Sequence, residues 1–419
     1  MTFDSLGLRP ALLSRLAEQN LTTPTPIQTR AIPEALQGRD VMGLAQTGTG
    51  KTLAFGLPIA DALLATQSRC EPKSVQALIL APTRELAKQI HDSLNSILKN
   101  AHLRTGLVVG GAGINGQIQR LQRGAHILVA TPGRLIDLLD RRALSLDKTQ
   151  YLVLDEADQM LDLGFIHALR KISTLLPAKR QTLLFSATMP KLMNEIAGAF
   201  LNDPVRIEVT PPGKTADKVD QHVYYVTPSL KPDVLIDQLD THRDELALVF
   251  TRTKHGADKL TKKLDQAGFS AGAIHGNKSQ GQRNRALSDF KEGKLRVLVA
   301  TDVAARGIDI PDVRHVYNFE LPNVADNYVH RIGRTARAGR DGRAVSLCAP
   351  DEIGELRDIE KVIGQQIPTL GGTRPEGRAP AKPARKGRGK PGGHGHSSGK
   401  PKSANGSRRR KPGGQRRAA

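Results

Sequence analysis

The stretch VMGLAQTGTGKTLAFGLPIADALL, residues 41–64, joins a short aliphatic run to a helical pattern through a loop that contains glycines. A buried strand, a glycine-containing turn and a helix in this order form a cradle whose backbone N–H groups wrap phosphate oxygens. Lys51 would neutralise phosphate charge, and the Thr52 hydroxyl would reach a magnesium ion. Because Ala45 stands where the general motif has its first glycine, the flanking strand and helix carry much of the prediction. The predicted phosphate-binding residues are Thr47, Gly48, Thr49, Gly50, Lys51 and Thr52.

Aliphatic runs of similar length continue along the chain in two series. They predict strands at 41–45, 77–83, 106–111, 126–132, 151–158 and 182–188, and then at 247–252, 271–276, 296–302, 315–320 and 343–350. Helical patterns lie between them, since the apolar residues of 85–100 recur at helical spacing. Alternating strands and helices imply parallel sheets with ligand groups at the carboxyl ends of the strands. The sequence therefore predicts an α/β fold with two parallel-sheet domains.

Two polar segments set the predicted domain boundaries. TPPGKTADKVDQ, 210–221, contains prolines and has no periodicity, so it is interpreted as a short linker between domains at 1–209 and 222–367. The segment 368–419 is rich in Gly, Pro and basic residues and almost empty of large apolar side chains. Such a composition cannot offset the entropy of ordering, so we expect a disordered basic C-terminal tail.

Charge indicates the class of partner. The 419 residues carry a formal net charge of +21, and 371–419 holds 15 Lys or Arg against one acid, Glu376. This balance favours nucleic acid, with an anionic membrane surface second. No apolar run of about 18 residues is present and the N-terminus lacks a secretory pattern, so we expect a cytoplasmic protein without membrane association. Cys70 and Cys348 lie far apart without ligand spacing, which predicts neither a disulfide nor a zinc site.

The tail allows three interpretations. It could only solubilise the chain, it could tether nucleic acid without sequence preference, or SRRRKP could serve nuclear import. We favour the tether, because its guanidinium and ammonium groups suit phosphates while the absence of aromatic residues excludes stacking on bases.

The stretch YLVLDEADQM, residues 151–160, runs a predicted strand directly into three carboxylates. In the domain that holds the phosphate loop, Asp155 would hold magnesium, commonly through water, and Glu156 would polarise the water that attacks the γ-phosphate. The alternative is a solvated helix N-terminus, where the helix dipole favours acidic side chains.

These motifs together resemble the DEAD-box family of ATP-dependent RNA helicases. QTGTGKT and DEAD are followed by SAT (186–188) and HRIGRTAR (330–337), and TPTPIQ, PTRELA, TPGR, VFTRTK, QGQR and ATDVAARGID stand in the family's order. The resemblance covers about residues 3–350 and implies two tandem RecA-like domains. The short core with a basic tail is similar to the small bacterial members, the RhlE-like group.

The resemblance implies roles for further residues on the nucleotide side. Gln28 would read the adenine edge, which favours ATP over GTP, and Phe3 matches the adenine-side aromatic. Adenine stacking should be weaker than usual, since Asn20 and Leu21 replace the family's Gly-Phe. In the second domain Arg334 and Arg337 match the arginine fingers, Asp309 the ribose contact and His330 its partner across the cleft. Asp158, Ser186 and Thr188 would couple the nucleotide and RNA sites.

The same resemblance implies an RNA face made of hydroxyls, guanidinium groups and backbone donors. Such groups suit phosphate and ribose rather than base edges, so recognition should not depend on sequence. The helix that begins at TPGR would force a bend that a duplex strand cannot follow. The implied RNA contacts are Arg84, Gly111, Thr131, Gly133, Arg134, Arg252, Arg283, Thr301 and Arg306.

Three function classes remain open from the sequence. The first is an ATP-dependent RNA helicase that uses ATP and Mg²⁺ to separate short duplexes or remodel ribonucleoprotein, with ribosomal or mRNA-decay particles among the expected targets. The second is an ATP-gated RNA clamp whose hydrolysis only times release. The third is a phosphate-loop enzyme acting on a small molecule, which two linked domains and a basic tail make harder to explain. We favour the helicase, and expect a monomer that binds single-stranded and short duplex RNA.

Overall fold

The computed structural model describes residues 2–45, 48–66, 69–99, 101–189, 191–209, 219–305, 310, 313–336 and 341–375. The described residues belong to one compact unit, which contains two sheets of seven parallel strands. The predicted α/β fold with two parallel-sheet domains is confirmed.

The first sheet has the strand order β3-β4-β2-β5-β6-β1-β7. Its strands are β1 (Val41–Leu44), β2 (Val75–Leu80), β3 (Thr105–Val108), β4 (Ala125–Ala130), β5 (Tyr151–Leu154), β6 (Gln181–Ser186) and β7 (Val205–Glu208). A short 3-10 helix (Phe3–Leu6) precedes α1 (Pro10–Glu18), α2 (Pro26–Leu36), α3 (Lys51–Thr66), α4 (Arg84–Ile97), α5 (Ile114–Leu121), α6 (Pro132–Asp140), α7 (Ala157–Asp162), α8 (Ile166–Leu175) and α9 (Lys191–Phe200).

Burial on both faces explains why these strands lack alternation. Every residue of β2 and β4 is buried, and the apolar side chains divide between one cluster on each face of the sheet. Parallel sheets covered by helices on both sides require such continuous apolar strands. The arrangement brings the carboxyl ends of β1, β5 and β6 together in the middle of the sheet, since β6 pairs with both other strands.

The second sheet repeats the topology of the first in the order β10-β11-β9-β12-β13-β8-β14. Its strands are β8 (Asp220–Tyr225), β9 (Leu246–Thr251), β10 (Ala271–Ile274), β11 (Val297–Thr301), β12 (Val313–Asn318), β13 (Arg343–Cys348) and β14 (Thr369–Gly371). Its helices are α10 (Lys231–Asp240), α11 (Lys254–Gln266), α12 (Gln280–Lys291), α13 (Asp302–Ala305), α14 (Asp326–Ile332) and α15 (Ile353–Ile363), with a 3-10 turn at Pro350–Glu352. We call the two halves lobe one and lobe two.

Three strands were not predicted, and two of them move the predicted boundaries. β8 begins at Asp220, inside the proposed linker, and β14 lies inside the proposed tail, where it pairs with β8. Gly372 has a φ of 73°, and a Cβ there would meet the Tyr225 carbonyl oxygen at 2.0 Å. Arg374 then binds Glu360 at 2.7 Å. Residues 369–374 are therefore part of the second sheet and its contacts, and the predicted start of the tail at 368 is wrong.

Parts of the linker and tail predictions cannot be compared with the structure. Residues 210–218 and 376–419 lie outside the described residues. Cys70 and Cys348 are free and buried. Among the described residues, none of the helices is both long enough and apolar enough to span a membrane.

Candidate nucleotide and nucleic-acid site

The predicted phosphate loop lies between the end of β1 and the start of α3. Gly48 and Gly50 have φ values of 85° and 89°, a backbone conformation that favours glycine. A Cβ on Gly50 would come within 2.5 Å of the Gln28 amide nitrogen, so this position also needs a residue without a side chain. Lys51 and Thr52 open the helix, as expected, whereas Thr47 lies outside the described residues.

Lys51 and Asp155 meet in a buried pair beside this loop. Lys51 is 5% exposed, its Nζ lies 3.6 Å from Asp155 Oδ1, and it donates a hydrogen bond to the Ala45 carbonyl at 3.1 Å. Burial raises the pKa of Asp155 to about 6, although the Lys51 cation opposes this shift.

Glu156 is held in a strained backbone position at the start of α7. Its φ of 52° is left-handed, it is 1% exposed, and its N–H donates to Asp155 Oδ1 at 3.0 Å. Left-handed backbone in a residue other than glycine is uncommon and persists where the surrounding structure enforces it. The solvated-helix alternative is wrong, because both carboxylates are buried.

Asp158 joins α7 to the loop that follows β6. Its Oδ2 accepts hydrogen bonds from the backbone N–H groups of Ala187 and Thr188 and from the Thr188 hydroxyl, at 2.9–3.1 Å. The Ser186 hydroxyl donates to the Thr188 carbonyl at 2.7 Å. The three residues that the resemblance assigns to coupling therefore form one hydrogen-bonded group next to the acidic pair.

Gln28 has both ends of its amide occupied. Its Oε1 accepts the N–H of Thr25, which caps α2, and its Nε2 donates to the Gly50 carbonyl at 2.9 Å. The side chain thus ties the start of α2 to the phosphate loop. Reading of adenine by this amide would have to replace one of the two bonds, so that role stays a prediction.

Phe3 is 4% exposed and packs in the core of lobe one. A ring in that position has little surface left for a base, so adenine stacking by Phe3 would require the 3-10 helix to move. Asn20 takes the left-handed conformation, with φ of 57°, and Leu21 is exposed. The weaker adenine stacking expected from this replacement stays a prediction.

The predicted RNA contacts of lobe one cluster where its strands end. The Arg84 guanidinium lies against Gly111, where a Cβ would meet its Nη1 at 2.0 Å. Arg134 donates to the Ala112 carbonyl at 3.0 Å. Thr131 immediately precedes α6, and Gly133 lies in the first turn of that helix. The structure therefore places the five residues in adjacent loops and in the first turns of α4 and α6.

Arg252 in lobe two is engaged within its own lobe. Its Nε donates to the Leu321 carbonyl at 2.6 Å and its Nη2 lies 3.0 Å from a Glu352 carboxylate oxygen. Glu352 also binds the buried Lys231. The sequence did not indicate Glu352, which lies 100 residues further along the chain. RNA contact by Arg252 would have to use the exposed part of this anchored guanidinium.

Arg334 and His330 line one small cavity of lobe two together with Asp302. Arg334 is only 4% exposed. The neighbouring Arg331 binds Asp302 through Nε and Nη2 at 2.5 and 2.8 Å. Asp302 directly follows Thr301, the last residue of β11, so this ion pair holds α14 against the end of that strand. Arg306, Asp309 and Arg337 lie outside the described residues.

The two lobes touch through motifs of the predicted RNA face. Arg283 Nη2 lies 2.8 Å from a Glu85 carboxylate oxygen, and Gln280 donates to the other oxygen at 2.9 Å. Arg84 approaches Gln280 Oε1 at 3.3 Å. Glu85 and Gln280 were not singled out as site residues, although both stand in quoted motifs. Arg283, predicted to bind RNA, therefore also pairs with lobe one.

Comparison with known proteins gives consistent matches along the chain. The profile of the DEAD/DEAH box helicase matches residues 25–196, and that of the helicase conserved C-terminal domain matches 230–339. The DEAD-box ATP-dependent RNA helicase CshA of Bacillus cereus is 46% identical over 366 residues, or 87% of this chain and 69% of the relative.

Two solved structures share the fold. Dbp5 of S. cerevisiae bound to RNA and ADP BeF3 has a TM-score of 0.78 at 32% identity, covering 88% of this chain and 95% of Dbp5. The DEAD-box helicase Mss116 bound to ssRNA and UDP-BeF has a TM-score of 0.80 at 29% identity, covering 90% of this chain and 81% of Mss116. With the phosphate loop, the buried acidic pair and the repeated sheet topology, these matches show that the chain belongs to the DEAD/DEAH-box helicase family.

Proposed function

We propose that this protein is an ATP-dependent RNA helicase that separates short RNA duplexes or remodels ribonucleoprotein without strong sequence specificity. The observation that carries the proposal is the buried group of Lys51, Asp155 and Glu156 behind the glycine loop, in a lobe that also carries Arg84 and Arg134 in the first turns of α4 and α6. The relatives named above are RNA helicases or are bound to RNA, which supports the same substrate.

In this proposal lobe one holds ATP by its phosphates. The N–H groups of Gly48, Thr49 and Gly50 surround the phosphates while Lys51 neutralises their charge. Asp155 and the Thr52 hydroxyl are the hard oxygen donors that suit Mg²⁺, and their chemistry fits that ion. When bound, Mg²⁺ neutralises charge that develops on the phosphate oxygens. Glu156 accepts the proton of the attacking water, for which its fixed position prepares it.

Lobe two completes the site when the lobes close. Arg334, with Arg337, stabilises the negative charge of the transferring phosphoryl group, and Asp309 and His330 act at the ribose and across the cleft. Gln28 and Phe3 form the adenine side. Because these groups belong to two lobes joined by a linker, hydrolysis depends on closure.

Closure also builds the RNA face. Guanidinium groups and the Thr131 and Thr301 hydroxyls bind phosphates and 2′-hydroxyls, and α6 blocks the straight path of a strand. The Asp158–Thr188 group connects this face to the acidic pair. Local bending then separates strands near the bound segment. The guanidinium groups assigned to this face are Arg84, Arg134, Arg252, Arg283 and Arg306.

A strand-displacement assay tests the proposal. A short RNA duplex should separate when the full chain and ATP are added, and one round of release should also occur with a non-hydrolysable ATP analogue, since closure rather than turnover bends the strand. A protein that traps the duplex stably under the analogue is a clamp instead. ATP hydrolysis that RNA does not stimulate would contradict both and favour a small-molecule enzyme.

A further inference from the structure

Three potential metal ligands converge at the opposite end of the second sheet from the predicted ATP and RNA loops. His242 follows α10, Glu245 directly precedes β9, and His315 lies on β12. One ligand atom from each lies within 4.8 Å of the others. The strand starts meet here, whereas the predicted catalytic residues lie at strand ends, so this cluster is separate from the site described above.

An irregularity in β12 directs His315 into the cluster. The register between β9 and β12 shifts between Val313 and His315, so Val313 pairs with Leu246 and His315 with Ala247. One extra residue in β12, Arg314, produces this shift. Bulges of this kind re-aim a side chain and are frequent at functional positions.

The two imidazole rings lie close together, and their ring nitrogens are not all hydrogen-bonded. They stack with centroids 3.4 Å apart and an interplanar angle of 4°. His315 Nε2 contacts Glu245 at 2.5 Å and His242 Nε2 contacts the Tyr317 hydroxyl at 2.6 Å. The Nδ1 atom of His315 is buried and has no hydrogen-bond partner among the described residues. A buried polar atom without a partner is costly, and a metal ion is one of the groups that removes the cost.

Charged groups of both signs surround the cluster. Arg314 and Arg343 add positive potential, which opposes cations. Glu245 supplies the compensating negative charge and is 46% exposed, leaving an approach from solvent.

We propose that His242, Glu245 and His315 bind one divalent transition-metal ion of the class that includes Zn²⁺ and Co²⁺. Two imidazoles and one carboxylate leave at least one coordination position for water. Mg²⁺ and Ca²⁺ are excluded because they prefer oxygen ligands. The rings must turn so that their lone pairs converge, so binding disrupts the stack and replaces the contact between His315 and Glu245.

The ion would fasten the turn after α10 to β12. A ligand that binds only the folded chain raises stability by mass action. The effect should be confined to lobe two and should leave the ATP-binding loops of lobe one unchanged. It does not depend on the proposed helicase activity, since none of the three ligands belongs to that site.

Titration of the full chain with Co²⁺ and with Zn²⁺ tests the proposal. The protein should carry no purification tag that contains histidine. We expect a d–d absorption spectrum with Co²⁺ at one equivalent, displacement of Co²⁺ by Zn²⁺, and a rise in Tm with Zn²⁺. His242→Gln, His315→Gln and Glu245→Gln should each weaken Zn²⁺ affinity at least tenfold, consistent with loss of one of three ligands.

Matched variants exclude other histidines. His255→Gln changes an exposed histidine of lobe two, and a chain with both His394→Gln and His396→Gln removes the histidines of the tail. Both should keep the stoichiometry and the spectrum. Circular dichroism without metal confirms that each variant is folded, and Glu245→Gln leaves both rings in place if a histidine variant does not fold. Absence of a d–d spectrum in the unaltered protein would overturn the proposal, and so would a folded Glu245→Gln or His315→Gln variant that binds Zn²⁺ as tightly as the unaltered protein.

Discussion

At the scale of single residues, the types and the order of the residues predict the chemistry of the site, but they do not predict which side chains contact each other. Lys51, Asp155 and Glu156 were predicted from their motifs, and the structure places them together in a buried group. The left-handed backbone of Glu156 could not be predicted, because no glycine or asparagine marks it. The anchoring of Arg252 by Glu352 could not be predicted either, because the two residues are 100 positions apart in the sequence.

Glu156→Gln should lower the rate of ATP hydrolysis by about 100-fold or more while ATP and RNA binding persist. The amide keeps the size of the side chain but cannot accept the proton of water, and a positioned base contributes factors of this order. Phosphate release under saturating RNA, together with separate binding titrations, measures the effect. Glu71→Gln, an exposed carboxylate in a loop, is the control. Hydrolysis at the original rate in Glu156→Gln would refute the role.

Asp155 should make the stability of the nucleotide-free protein depend on pH. Its pKa is raised to about 6 by burial, whereas an unfolded aspartate titrates near 4. Between these values the folded chain retains a proton that the unfolded chain has lost, so the free energy of unfolding falls as pH rises. The contribution is at most about 3 kcal/mol.

Urea unfolding at several pH values between about 4 and 7 checks this sign. Asp155→Asn has nothing to titrate at this position, so it should lose less stability than the original protein as pH rises. Asp162→Asn, an exposed carboxylate of α7, should follow the original protein. Parallel curves for the original protein and Asp155→Asn would show that burial does not shift this group.

At the scale of elements, the strands that form continuous aliphatic runs were predicted, whereas β7, β8 and β14 were not. β2 and β4 were predictable because each consists of six consecutive residues that are buried. β14 has only three residues and lies in a Gly-rich segment, so its composition resembles the tail. It forms because Gly372 allows a close approach to Tyr225 and because Arg374 forms an ion pair with Glu360. Neither contact could be predicted from the sequence.

Gly43 in β1 should tolerate no side chain. A Cβ there would meet the Phe185 ring at 2.6 Å, and Phe185 is fully buried on the neighbouring β6. Gly43→Ala should therefore reduce the free energy of unfolding by about 1–3 kcal/mol through overpacking. Chemical denaturation measures it.

Gly198→Ala provides the contrast. Gly198 lies on α9, and a Cβ there would have nothing within 4 Å, so alanine should stabilise the helix by up to about 1 kcal/mol. If both alanine variants changed stability equally, packing against Phe185 would not limit β1.

At the scale of the whole molecule, the repeated topology was only partly predictable. The alternation of strands and helices implied two parallel sheets, but β7 and β14, which complete the identical orders, were missed. The contacts of Glu85 with Gln280 and Arg283 join the lobes through motifs that sequence reasoning assigned mainly to RNA. Charge was informative at this scale, because 14 Lys or Arg lie beyond residue 375.

Removal of residues 376–419 should weaken RNA binding and flatten its dependence on salt. The truncation keeps β14 and Arg374, so lobe two stays intact. Each phosphate contact that is lost should reduce the slope of log affinity against log salt by about 0.7 for single strands. A tail of equal length with every Lys and Arg changed to Gln controls for chain length. The tail would be inert if its removal left the slope unchanged.

The most direct test of the account is ATP turnover by the purified full chain with and without saturating single-stranded RNA. The account requires a nucleotide held by Lys51 and Asp155 to become reactive when RNA helps the lobes close. RNA should therefore raise the turnover rate severalfold or more, and Glu156→Gln should abolish that increase. A chain that consumes no ATP even when saturated with RNA would contradict the account.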